Sequence, residues 1–278
     1  MGLPVNTPEE ELVRQANFQL DLLFKQQSHP TDTAAIFVEP VIGEGGYVPA
    51  PAAYMAHLRK RCDEHGIMLV CDEVQSGFGR TGTMFCVEGN VEGTSVRPDI
   101  MIFAKGLANG FPLSGVVSRK ELMDHQEVGS IGGTYAGNPV SCAAAVAVTQ
   151  VFEEDNILAN VNERSKQMLS ALDALKSSAK TSHLIADIRG KGLMIAVEFA
   201  NASDPLTTAG LDADKIASIP SQIGKRVQDK CIAKGLMILT TSCFDTIRFI
   251  PALVVSEEEM RVGMEIFSQA LEEVAREG

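Results

Sequence analysis

The chain lacks the spacings that protein metal sites use. Its six cysteines, Cys62, Cys71, Cys86, Cys142, Cys231 and Cys243, form no C-x-x-C pair, and its five histidines form no H-x-x-x-H pattern. No metal centre is therefore expected. Basic residues are short against acidic ones, 24 Lys and Arg against 36 Asp and Glu, for a formal net charge of −12. That balance argues against nucleic acid or an anionic membrane as the main partner and reads as surface solubility. No apolar run is long enough to span a bilayer. The opening Met1-Gly2-Leu3-Pro4-Val5-Asn6 holds no signal-peptide core, and Asn6 stands where a myristoylation signal needs Ser or Thr. The cysteines read as small hydrophobes, Cys71 in a buried strand and Cys142 in an alanine-rich helix. They point to a reducing, intracellular compartment, cytoplasm or mitochondrial matrix.

What is present is enough for one large or two medium domains: 278 residues, 45% hydrophobic and 22% charged. Three short apolar runs each end on an ionisable residue. They are Ala34-Ala35-Ile36-Phe37-Val38 before Glu39, Ile67-Met68-Leu69-Val70-Cys71 before Asp72, and Ile100-Met101-Ile102-Phe103-Ala104 before Lys105. Such runs, separated by helix-length stretches, read as parallel strands buried on both faces. Ligands of open α/β sheets bind beyond the carboxyl ends of the strands. Glu39, Asp72 and Lys105 are thus expected to converge on one pocket. A cation at the mouth of a buried strand needs a partner or neutrality. A lysine that gives up its proton to form a Schiff base, near an aspartate on the neighbouring strand, is pyridoxal-phosphate chemistry. The plain alternatives are a solvated lysine and a turn-forming aspartate.

Around these runs the pattern is helical. Thr7, Pro8 and Glu10 spell a capping box before Leu12, Val13, Ala16, Leu20 and Leu23. Met55, Leu58 and Cys62 share a helix face ended by Gly66. Gly77 to Gly82 reads as a flexible loop, Pro112 to Ser118 as a fourth strand, and Asn138-Pro139 as the start of the alanine-rich helix. A polar helix follows over about 156–177. Ile188 to Phe199 and Gly235 to Pro251 read as strands. Ser256 and Glu259 cap a last helix whose inner face is Met260, Met264, Phe267, Leu271 and Val274.

Four stretches carry a resemblance: Phe37-Val38-Glu39-Pro40, Val70 to Gly77, Phe103-Ala104-Lys105-Gly106, and Gly133-Thr134-Tyr135-Ala136-Gly137-Asn138-Pro139. In their order and spacing, from about Pro4 to Val274, the chain resembles the class III, ω-amino-acid family of pyridoxal-phosphate aminotransferases, and most of all its 4-aminobutyrate type. The resemblance implies an α/β fold, the aspartate-aminotransferase-like fold type I. It implies pyridoxal 5'-phosphate as cofactor, an amino donor and 2-oxoglutarate as substrates, and a homodimer with a shared active site. Lys105 becomes the catalytic Schiff-base lysine that also moves the proton. Asp72 pairs with the pyridine nitrogen, Gln75 with the phenolic oxygen, and Val74 packs on the ring. Thr134 binds the phosphate of the other subunit's cofactor. Arg248 binds the carboxylate next to the reacting carbon, and Glu39 masks Arg248 when an ω-amino acid is bound. For Arg248 the plain alternative is an arginine on the wet face of a half-exposed strand.

Members of that family carry a long region before the position of Gly2, with a phosphate loop, sheet strands, a stacking aromatic and a second arginine. The chain is therefore expected to be the C-terminal part of such an enzyme and a poor catalyst alone. Residues 1–155 would be an incomplete large domain with a mainly parallel sheet, and 156–278 a small α+β domain. The rival readings are an acetylornithine or ornithine aminotransferase and a non-catalytic remnant acting as a dimerisation or interaction module.

Overall fold

The computed structural model describes residues 3–89, 96–130, 132–241 and 244–277. The first half runs α1 (Glu9–Gln26), β1 (Ala35–Val38), β2 (Val41–Ile42), β3 (Val48–Pro49), α2 (Ala52–His65), β4 (Met68–Asp72), α3 (Cys86–Gly89), β5 (Ile100–Phe103), β6 (Gly115–Ser118), α4 (Lys120–Met123) and α5 (Pro139–Glu154). The second runs α6 (Ile157–Ser177), β7 (Ile185–Lys191), β8 (Met194–Phe199), α7 (Ala213–Ala217), α8 (Ile223–Ala233), β9 (Leu239–Thr240), β10 (Thr246–Phe249) and α9 (Glu257–Arg276). Among the described residues no helix is long and apolar enough to cross a membrane.

The chain divides into two compact units. The first comprises Val13–Val41 and Ala50–Leu158, and the second Met1–Leu12, Ile42–Pro49 and Ala159–Gly278. A linear split into 1–155 and 156–278 leaves two short stretches, Met1–Leu12 and Ile42–Pro49, with the first body; by contacts they belong to the second.

In the first unit the sheet order is β1-β4-β5-β6. β1, β4 and β5 are parallel, with Val38 beside Cys71 and Asp72 beside Ile102. The fourth strand is shorter than the run from Pro112 and pairs antiparallel with β5. Helix α2 covers one face. Its Met55, Leu58 and Cys62 are buried with Leu69 and Cys71 of β4, and Ile36 and Val38 of β1 pack against that cluster. Gly66 ends α2 in the left-handed conformation, φ 70°, which a glycine adopts without a Cβ clash. The expectation of strands buried on both faces holds only for β4. Alternation sends Phe37 to the sheet's other face, where it is 69% exposed, and all of β5 is half-buried.

In the second unit the order is β7-β8-β10-β9, and all pairings are antiparallel. The stretch Ile188 to Phe199, read as one strand, is a hairpin that turns at Gly192 (φ 57°). Helix α9 starts with the expected Ser256–Glu259 capping box. Its five predicted inner-face residues are buried, and the Phe267 ring meets Phe249 of β10 edge-on at 5.0 Å.

Two local expectations fail. The Thr7 hydroxyl donates to the Pro4 carbonyl at 2.7 Å instead of capping α1. Cys142 is exposed on α5, whereas Cys62, Cys71, Cys86 and Cys231 are buried. Burial pushes the Cys71 thiol up to about 12 and those of Cys62 and Cys231 to about 11.

Candidate functional site

The parallel register aligns the carboxyl ends of β1, β4 and β5, which places Glu39, Asp72 and Lys105 along one edge of the sheet. Lys105 lies three residues beyond Ile102, the residue paired with Asp72. It opens a 3₁₀ turn, Lys105–Ala108, and helix α5 packs against that turn. Its backbone is left-handed, φ 43°. For a residue with a Cβ this costs on the order of 1–3 kcal/mol and is found where surrounding structure enforces it.

The enforcement is visible. The loop after β4 reads as flexible in sequence, yet Ser76, Gly77, Phe78, Gly79, Thr81 and Gly82 are all buried. Phe78 packs edge-on against Phe85 at 5.4 Å and against Phe103 at 6.0 Å. A Cβ on Gly106 would lie 2.9 Å from the Phe78 Cβ. Phe78 is thus wedged against both sides of Lys105, at Phe103 and Gly106.

The loop is held by Glu73, a residue that the motif reading passed over. Its carboxylate accepts from Ser76 Oγ at 2.5 Å, from the Cys86 N–H at 3.0 Å and from the Val87 N–H at 2.9 Å. Burial pushes its carboxyl above the ordinary range, against the pull of these three donors. An acidic residue inside an apolar-flanked motif, followed three positions later by serine, was the available signal.

Asp72 is half-buried, and its Oδ1 accepts the Val74 N–H at 3.0 Å, the contact of a strand-end turn. Val74 and Gln75 are half-buried beside it. Lys105 is exposed, so the burial argument for its neutrality does not apply. Its amine makes no ion pair among the described residues. Thr134 is exposed in the Gly133–Asn138 turn that precedes α5, and Asn138 caps that helix by accepting the Ser141 N–H at 3.0 Å. Glu39 is half-buried at the end of β1.

Arg248 lies in the second unit, on β10, at one wall of a cavity of about 360 Å³ lined by Met237, Phe249, Pro251 and Met264. Its partner is Glu44, with Nη1 to Oε1 at 2.6 Å. The carboxylate paired with Arg248 is thus Glu44, where Glu39 was expected. Glu44 sits in the tight Gly43-Glu44-Gly45-Gly46 turn, which belongs to the second unit, whereas Glu39 belongs to the first. The Arg248 side chain is 16% exposed, and its Nε is buried without a hydrogen-bond partner among the described residues.

An accessible amine at a parallel strand end suits a carbonyl cofactor, and a carboxylate at the neighbouring end suits a ring nitrogen. With the mixed sheet they define a pyridoxal-phosphate-dependent transferase architecture of fold type I. The aminotransferase class-III family model matches residues 2–271, and the chain belongs to that family. It is 42% identical to the 4-aminobutyrate aminotransferase GabT of Escherichia coli K12 over 254 residues, 90% of this chain and 55% of that protein. It is 40% identical to the 5-aminovalerate aminotransferase DavT of Pseudomonas putida KT2440, over 92% of this chain and 56% of that one. A transaminase from directed evolution by ancestral reconstruction superposes with a TM-score of 0.83 at 30% identity, over 99% of this chain and 58% of that chain. An ornithine aminotransferase of Toxoplasma gondii gives 0.76 at 29%, over 94% and 55%. The chain spans little more than half the length of these relatives.

Proposed function

We propose that the protein to which this chain belongs transfers an amino group from an ω-amino acid of the 4-aminobutyrate type to 2-oxoglutarate, as a homodimer that uses pyridoxal 5'-phosphate. The observation that carries this reading is the Arg248–Glu44 pair. An ω-amino acid has no carboxylate beside the carbon that reacts, so the arginine there needs another anion, and Glu44 is that anion. Glutamate and 2-oxoglutarate do carry such a carboxylate. It displaces Glu44 and meets the guanidinium fork in bidentate fashion, taking up the unpaired Nε. The relatives named for 4-aminobutyrate and 5-aminovalerate support the donor class.

The bound cofactor supplies an electron sink for the carbanion left when the substrate loses a proton. This chain's residues do the rest. Lys105 Nζ moves the proton at the reacting carbon. The Asp72 carboxylate would keep the ring nitrogen protonated, Gln75 would hydrogen-bond the phenolic oxygen, and Val74 would flank the ring. Thr134 would hold the phosphate in the partner subunit's site.

Borohydride reduction of the full-length protein with its cofactor, followed by peptide mapping, is expected to place the reduced adduct on Lys105. An adduct on another lysine overturns the assignment. Turnover with 4-aminobutyrate and 2-oxoglutarate is expected to exceed turnover with ornithine or acetylornithine, and the reverse order moves the protein to the ornithine branch.

A further inference from the structure

The turn that carries Glu44 is not held by its own hydrogen bonds alone. Gly46 and Tyr47 donate back to the Gly43 carbonyl at 3.2 and 3.4 Å, the first at the end of the usual range and the second beyond it. A shorter contact comes from β7, where Arg189 Nε donates to the Gly46 carbonyl at 2.9 Å. The guanidinium is itself fixed. Nη1 pairs with Asp187 at 3.0 Å and with Glu198 of the neighbouring strand, and the Arg189 side chain is 15% exposed. Gly46 sits at φ 107°, and a Cβ there would lie 2.9 Å from Arg189 Nη2. A glycine is thus needed for the guanidinium to come so close.

We propose that Arg189 is a positioning residue for substrate discrimination: by latching the Gly46 carbonyl it holds the Gly43–Tyr47 turn so that Glu44 stays on Arg248. This rests on the reading of Arg248 as the carboxylate-binding arginine with Glu44 as its removable mask. Arg189 does not touch substrate. Its effect is on how readily Glu44 gives way, and hence on the balance between ω-amino acids, which need the mask, and dicarboxylates, which must displace it.

The direction of the effect separates a latch from a general charge. Removing a cation near an anion site weakens anion binding by simple electrostatics. Removing a latch that holds the competing carboxylate strengthens it. Glutarate, a dicarboxylate with no reacting group, is the probe, titrated calorimetrically into the full-length protein with its cofactor and into its variants. Glu44→Gln is expected to tighten glutarate about tenfold. Arg189→Met is expected to tighten it about three- to tenfold, and Glu44→Gln/Arg189→Met to bind no tighter than Glu44→Gln alone. If Arg189→Met does not fold, Gly46→Ala disturbs the same contact and is expected to tighten glutarate likewise. If Glu44→Gln tightens glutarate while the Arg189 and Gly46 variants leave it unchanged or weaker, the latch is overturned and the Arg248–Glu44 reading stands. A double variant tighter than Glu44→Gln overturns the latch as well, because Arg189 then acts by another route. If Glu44→Gln does not tighten glutarate, or no variant binds it, the reading of the pair falls and the latch falls with it.

Discussion

The two units bury their apolar sequence with very different completeness. In the second, strand β8 is buried at every residue but Glu198, and α9 buries six residues, packing on α8 and setting Phe267 against Phe249 of β10. In the first, β1 and β5 have no fully buried residue. Helix α5, with its Val-Ser-Cys-Ala-Ala-Ala-Val-Ala-Val run, buries only Ser141. Phe37, Val117, Val140 and Val146 stand between 49% and 69% exposed. An apolar surface of this kind marks a binding face or an aggregation liability. Hydrophobicity in a sequence states what can be buried; the packing elements decide what is.

The comparison breaks most sharply on matched phenylalanines. Phe267→Ala in the second unit, at 0% exposure, is expected to cost about 3–5 kcal/mol in denaturant unfolding. Phe37→Ala, at 69% exposure, is expected to change stability by less than about 0.5 kcal/mol and to reduce aggregation. Equal losses would mean that the first unit covers Phe37 in solution.

A polar prediction tests what holds the first unit instead. Asp99 accepts the Leu69 N–H at 2.8 Å and pairs with Arg59 at 2.8 Å and Arg119 at 3.0 Å. Burial raises its carboxyl, but the Leu69 N–H and Arg59 outweigh that and hold it below the ordinary range. Asp99→Ala is expected to cost about 2–4 kcal/mol, because Arg59 loses a half-buried partner. The sign of the pH effect follows. A carboxyl with a depressed folded pKa contributes its stability above the unfolded value, about 3.9, and loses it as pH falls through the folded one. In melts from pH 6 downward the gap between wild type and Asp99→Asn is expected to hold above about pH 4 and to narrow below it, as the carboxyl begins to take up its proton. A gap that widens on acidification contradicts the assignment.

A smaller effect sharpens the comparison at the site. Gly106→Ala pushes a methyl against the Phe78 Cβ and is expected to cost about 1–3 kcal/mol. It should also weaken cofactor binding, followed by absorbance on titration with pyridoxal phosphate. Unchanged cofactor affinity would show that the Phe78 wedge does not set the Lys105 turn.

The sheet edge that carries Glu39, Asp72 and Lys105 was legible because strand ends are local. An apolar run followed by Asp72 or Lys105 announces both the strand and the edge it reaches, and the Met55, Leu58, Cys62 spacing with Gly66 announces the helix between them. Glu44 was not legible. It lies in a Gly-Glu-Gly-Gly turn with no periodicity, and its partner is Arg248, 204 residues away in the sequence. The Arg189 contact spans 143 residues for the same reason. Helix α8 escaped because its N-cap, Gln222, is left-handed at φ 54° and carries no capping side chain. The exposure of Phe37 escaped because the run that contains it has the composition of a buried strand.

The cysteines turn the uncovered helix into something measurable. Of the described thiols only Cys142 is exposed, and those of Cys62, Cys71 and Cys231 are both enclosed and hard to deprotonate. With Cys243 replaced by serine, a maleimide fluorophore or spin label therefore attaches at one position, midway along neither sheet but on the open face of α5. Its mobility and emission then report directly whether anything settles on that face, in a sample of this chain or of the full-length protein.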